Sequence, residues 1–200
     1  MPKRLKSTLK GKNQVNSFQV KKQGKLIGKL GRKPMTQQQY SARKRANAVT
    51  RNHGFGSATV KTATSFKHTV STNLRKRRAG AQRQALASAQ VINPGYNPVI
   101  NNKSHLAPDT FGGPSTKNNL INAERDINLM LHKRVENAIA SDMDKRTPPG
   151  ASPLQRRGSI EIEDVFDPKS QKPIRRVYNV HLDAGNKQPE RYDQYTVINS

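Results

Sequence analysis

The side chains best able to do chemistry in this chain are its cations. Lys3, Arg4, Lys6, Lys10 and Lys12 open it, and Lys21, Lys22, Lys25, Lys29, Arg32 and Lys33 follow. Arg43, Lys44, Arg45 and Arg51 come next, then Arg75, Lys76, Arg77, Arg78 and Arg83. From Met1 to Pro108 there are 23 Lys and Arg and no Asp or Glu, whereas Asp109 to Ser200 holds 14 against 13. All but one unit of the formal net charge of +24 therefore lies in the first half. An ordinary solvated surface mixes signs. An acid-free block repels itself in isolation and is stabilised by a polyanion. Lys and Arg neutralise phosphates and release condensed counterions, which gives affinity with little sequence preference. Arg adds forked phosphate contacts and stacking on bases. These cations are the expected nucleic-acid-binding residues. A membrane-attracted arm would need an apolar helix face or a lipid anchor, and Met1-Pro2 excludes N-myristoylation, so no membrane partner is expected.

Four aromatics interleave with the block: Phe18, Tyr40, Phe55 and Phe66. Exposed aromatics stack on unpaired bases. With 5% aromatic residues and no Trp, Phe18 and Phe66 read as the core of short strands, and Phe55 is placed with the binding residues. His53-Gly54-Phe55-Gly56 lacks the second aromatic of an RNA-recognition-motif strand, because Ser57 and Ala58 follow. It reads as a loop that lets the backbone approach a phosphate.

Catalysis has less to build on. His53, His68, His105, His132 and His181 show no metal-ligand spacing, and there is no Cys. Glu161 and Glu163, with Asp164, Asp167 and Lys169 nearby, could hold a metal for phosphodiester cleavage. His181 with Tyr178 or Arg175 could form an acid–base pair. The alternation of Ile160 and Ile162 with the glutamates reads instead as the solvent face of a strand. No catalytic residue, metal or cofactor is expected. Arg156-Arg157-Gly158-Ser159-Ile160 has the order that basophilic kinases read, and also reads as a loop entering a strand.

The elements that must position these groups follow from periodicity. Residues 1–16 read as a basic arm and 17–92 as the nucleic-acid-binding region. Ser17 to Leu30 suggests a hairpin about Lys22-Gln23-Gly24-Lys25. Thr36 is the expected N-cap of a helix to about Thr50, Ala58 to Ser71 a strand or an extended segment, and Thr72 to Val91 a second helix. Residues 93–116, with four prolines from Pro94 to Pro114, read as a linker. Residues 117–200 read as a small domain. An amphipathic helix from about Asn118 to Asp144 frays where Asp142 and Asp144 meet its C-terminus. It covers a three-stranded meander at Ile160–Ile162, Ile174–Leu182 and Tyr192–Ile198.

The expected fold class is thus α+β with low regular content. An extended basic half carries short hairpin and helical pieces, followed by a long helix on a small antiparallel three-stranded sheet. The expected function is non-enzymatic: a structural nucleic-acid-binding protein of a ribonucleoprotein, such as a ribosomal protein, or of a virion. RNA is favoured over DNA by analogy with basic arms that fill gaps between RNA helices. Protein neighbours would meet residues 117–200. The alternatives are a small nuclease or toxin domain with its chemistry in the meander, and an assembly protein binding an acidic protein. No signal-peptide core follows the first charges, so the setting expected is an intracellular ribonucleoprotein or a virion.

Overall fold

Seven strands pair into one antiparallel sheet, and those at its middle are buried on both faces over most of their length. The computed structural model describes residues 17–47, 49, 54–75, 86, 89–152 and 155–199. In chain order the strands are β1 (Phe18–Lys22), β2 (Lys25–Pro34), β3 (Phe55–Lys61), β4 (Phe66–Leu74), β5 (Asn101–His105), β6 (Leu120–Glu124), β7 (Gly158–Phe166), β8 (Pro173–Leu182) and β9 (Arg191–Asn199). The large sheet has the order β1-β2-β9-β8-β7-β4-β3, and β5 and β6 form a separate two-stranded ribbon.

The fold therefore differs from the expected helix on a three-stranded sheet. Strands β7, β8 and β9 do form a meander, but they are the middle of the sheet. β2 adds on one side through β9, and β4 on the other through β7. A free meander would leave two long rows of main-chain hydrogen-bonding groups unpaired. The basic half supplies the strands that close both rows. The hairpin expected at Ser17–Leu30 and the strand or extended segment expected at Ala58–Ser71 belong to this larger sheet, a pairing with distant strands that local Lys-, Thr- and Ser-rich sequence does not signal.

One face of this sheet carries the main core. Phe66, Val70 and Leu74 of β4 line up with Ile160, Ile162 and Phe166 of β7, and next to them Tyr178, Val180, Leu182, Tyr195 and Val197. Helix α2 covers them. It runs through an α-helical turn at Arg125–Ile127, a π-helical turn at Asn128–His132 and a regular stretch at Lys133–Arg146. Ile127, Leu131, Val135, Ile139 and Met143 are its buried stripe. A stripe that steps by four each time drifts about 40° per step around a 3.6-residue helix. The wider π turn takes up part of that drift. Helix and sheet come close at Gly28 of β2, where a Cβ would lie 2.7 Å from Ile127 Cδ1 and 2.8 Å from Leu131 Cδ1.

The helix begins at Arg125 rather than near Asn118 because Leu120–Glu124 pairs as β6 with β5. Leu120 to Ala123 are buried one after another, which suits a strand enclosed on both faces and not a helix stripe. The stretch read as a linker is pinned here. The Asn119 side chain takes the Ala107 N–H at 2.8 Å and donates to the Ala107 and Pro114 carbonyls, while Leu106 and Phe111 sit in the core. At its other end the helix continues to Arg146 without the expected fraying. The Asp142 carboxylate accepts from Arg191 at 3.0 Å and Lys145 at 3.3 Å, which offsets its repulsion by the helix dipole. The helix expected from Thr72 starts inside β4, and residues 76–85 lie outside the described residues.

Candidate nucleic-acid interface

The second face of the sheet carries a short helix, α1 (Gln37–Ala46). Thr36 caps it as expected: its hydroxyl accepts from Gln39 N–H while the Gln39 side chain accepts from Thr36 N–H, a closed capping box. The helix stops at Ala46, with Asn47 as C-cap, four residues short of the expected end. Tyr40 is its one buried side chain. The Tyr40 hydroxyl meets the Ser159 hydroxyl at 2.8 Å, and its ring tilts against His181 and Tyr192. At the helix end Asn47 Nδ2 donates to Glu161 Oε1 at 2.6 Å. These contacts lay α1 across β7, β8 and β9 and leave Arg43, Lys44 and Arg45 exposed in its last turn. Cations there also suit the helix dipole.

The β1–β2 hairpin turns through Gln23 and Gly24, both with positive φ (49° and 77°), a conformation glycine adopts without penalty. Lys21 and Lys25 stand exposed beside that turn. Register with β9 puts Lys29 opposite Ile198 and Lys33 opposite Gln194, on the α1 side of the sheet. The two lysines are four residues apart on one face, a span of about 13 Å. Arg32, between them in sequence, points the other way. Its guanidinium donates twice to Asp193 at 3.2 Å, approaches Asp142 at 4.0 Å and lies over the Tyr195 ring. Burial pushes the Asp193 carboxyl above the usual range, against the pull of Arg32. Lys21, Lys25, Lys29, Lys33, Arg43 and Arg45 make no ion pair among the described residues.

The acidic residues explain why. Asp164 pairs with Arg176, Glu163 with Arg175, Glu136 with Lys133, Asp183 with Arg156, and Asp142 and Asp193 with Arg191. In these pairs second-half acids meet second-half bases, and Arg32 of the first half joins them at Asp142 and Asp193.

The other expected binding residues divide. Phe55 opens β3 and packs half-buried against the core. Tyr40 is buried, Phe66 stacks on Phe166 at 4.6 Å, and Phe18 lies under the Arg134 guanidinium at 3.8 Å. Arg75 is exposed just past β4. Lys22 belongs to β1 by its backbone. Lys3, Arg4, Lys6, Lys10, Lys12, Arg51, Lys76, Arg77, Arg78 and Arg83 lie outside the described residues. Exposed cations beyond the expected set include Lys61, Lys67 and Arg134. Strand parity would have found Lys67, since it shares the second face with Thr69 and Ser71.

The residues weighed for catalysis do not converge. Glu161 and Glu163 face the α1 side, Asp164 faces α2, and Asp167 accepts Lys169 and Ser170 N–H groups in the β7–β8 turn. Among the described residues no three His, Asp or Glu side chains gather as a metal site. His181 stacks on Tyr192 at 4.6 Å and meets Glu190 at 2.6 Å on the second face. Tyr178 lies on the other face, its hydroxyl 2.7 Å from His132 Nδ1. There Asp164, Arg176, Tyr178 and His132 form a buried polar chain. Burial, helped by Arg176, pushes the His132 pKa well below its ordinary value, and burial raises Tyr178. A cleft of about 310 Å³ between β5 and the π turn is lined by Lys103, His105, Asp109, Lys133 and Glu136, so it mixes charges. Among the described residues no helix is long and apolar enough to cross a membrane. No protein family, curated protein or solved structure matches the chain.

Proposed function

We propose that this chain is a non-enzymatic nucleic-acid-binding protein that serves as a structural component of a nucleic-acid–protein particle. It holds phosphate backbone along α1 and β2. One observation carries the reading: Lys29 and Lys33 of β2 and Arg43 and Arg45 of α1 stand exposed with no ion pair among the described residues, while Asp164, Glu163, Glu136 and Asp183 are each held by a second-half base. Lys29 and Lys33 from β2, with Arg43 and Arg45 from α1, share the second face of the sheet. They fit a polyanion that runs across the sheet and is gripped by charge, not by base edges.

Anisotropy titrations with labelled single-stranded and duplex RNA and DNA between 50 and 200 mM salt test this. Each phosphate contact should contribute about −0.9 to the slope of log K against log salt on duplex, and about −0.7 on single strands. Replacing Lys29, Lys33, Arg43 and Arg45 together by Gln should flatten the slope by roughly 3. A wild-type slope near zero, or an unchanged slope in the variant, overturns the reading. The same titrations rank RNA against DNA.

A further inference from the structure

Among the described residues the large sheet ends in two free edges, β1 and β3, and they are built differently. β1 is five residues long, shifts register between Val20 and Lys21, and finishes in Lys21 and Lys22. A short strand, a bulge and lysines are the means by which sheets blunt an edge against pairing. β3 at the opposite edge keeps unbroken register with β4 over seven residues, and its one charge is the terminal Lys61. Gly56 to Val60 contains neither Pro nor a charged residue, and Val60 is 57% exposed.

The hydrogen bonds of the β3–β4 hairpin fix which main-chain groups face outward. Thr62 N–H donates to Ser65 C=O at 2.7 Å, and Asn73 N–H donates to Gly54 C=O at 3.3 Å. Both pairs belong to the same alternating series as Gly56, Ala58 and Val60. Phe55, Ser57, Thr59 and Lys61 therefore turn their N–H and C=O groups away from β4. No strand lies beyond β3 among the described residues.

We infer that this edge is a homotypic interface: β3 of a second copy adds antiparallel about a two-fold axis at Ala58, joining two seven-stranded sheets into one. The four outward-bonding residues are symmetric about Ala58. Ser57 then falls opposite Thr59 of the second copy, a favourable cross-strand hydroxyl pair. Phe55 falls opposite Lys61, whose ammonium already sits 4.7 Å over the Phe66 ring. The two lysines end at opposite ends of the ribbon, and Val60 lies across from Gly56. Such self-complementarity is what a two-fold interface demands and a foreign strand does not. A net charge of +24 per copy opposes the approach, so pairing requires charge screening by salt or by a polyanion.

The chain lacks cysteine, so single cysteines report the register. The two-fold sets residue 58 opposite itself in a non-hydrogen-bonded pair, with Cα atoms about 4.5 Å apart and within disulfide reach. Residue 60 is offset from its own copy by four residues, about 13 Å, which is out of reach. In about 0.5 M NaCl, where the Debye length is a few Å, A58C should form disulfide-linked dimer at least about tenfold faster than V60C. Equal rates, or no dimer from A58C, overturn the proposal. Ser57→Pro removes an outward N–H that the monomer does not use. It should keep the wild-type melting transition and sediment as a monomer where the wild type sediments as a dimer. A folded S57P that still dimerises overturns the proposal, and if S57P does not fold, the cysteine pair decides alone.

Discussion

Arg176 is 2% exposed and donates to both carboxylate oxygens of Asp164, at 2.6 and 2.8 Å. Burial works against its charge, yet Asp164 and the Tyr178 hydroxyl outweigh that and keep the guanidinium protonated. Removing one partner strands a buried charge. Asp164→Ala should cost about 3–5 kcal/mol in urea unfolding, while replacing the pair together by Leu and Met should cost much less. Equal losses would show that the site needs packing and not charge balance. His132 completes the same chain in its neutral form. Its folded pKa lies well below 6.5, so the unfolded chain takes up the proton first as pH falls. The stability this histidine contributes is full above about pH 6.5 and declines below it; His68, lowered by burial, acts in the same direction. Asp193, raised by burial, works the opposite way at the acidic end. The urea midpoint should be lower at pH 5 than at pH 7.5, and His132→Gln should narrow the gap. A midpoint that does not move between those pH values would contradict a neutral buried His132.

At the level of elements, α1 is held by little. Tyr40 is its only buried side chain, so Tyr40→Ala should release the helix while the sheet remains. Trypsin cleavage at Arg43 to Arg45 should then accelerate roughly tenfold or more, with little change in the main melting transition. Unchanged cleavage would mean that other contacts seat the helix. Gly28 is the reverse case, a tightly packed point. Gly28→Val pushes into Ile127 and Leu131 and should cost about 1–3 kcal/mol through overpacking, measured by urea unfolding. Legibility in the sequence follows the same physics. The Thr36 cap, the turn at Gln23-Gly24 and the alternation at Ile160, Ile174–Leu182 and Tyr192–Ile198 are local signals and could be read locally. What could not be read is which strands lie beside them. β4 reads as Lys, Thr, Ser and His around Phe66 and Val70, and its burial comes from β7 and from loops far along the chain. Leu120 to Ala123 fitted a helical spacing by apolarity alone, and only pairing with Asn101–His105 makes them a strand. The cations were legible as a block. Their division into exposed Lys29 and Lys33 and engaged Arg32 required the pleat.

At the scale of the whole molecule, charge is partitioned by sequence and the sheet is not. The acid-free half contributes β1, β2, β3 and β4, which flank three strands from the balanced half. Exposed cations are thus fixed to a scaffold in which Asp142, Glu163, Asp164, Asp183 and Asp193 already have cationic partners. The register also sets a schedule. Gly28 pairs with Asn199, so β2 waits for a neighbour that the ribosome makes much later. At 5–20 residues per second the gap is roughly ten to thirty seconds, and a chain truncated before Arg191 never closes it. Hydrogen exchange on such a truncation should show the amides of residues 25–34 unprotected, whereas the full chain protects those bonded to β9. Throughout the interval of synthesis the cation-rich segment is outside the ribosome with no sheet to join. A polyanion nearby can therefore meet the segment before the fold exists, and loading can precede folding.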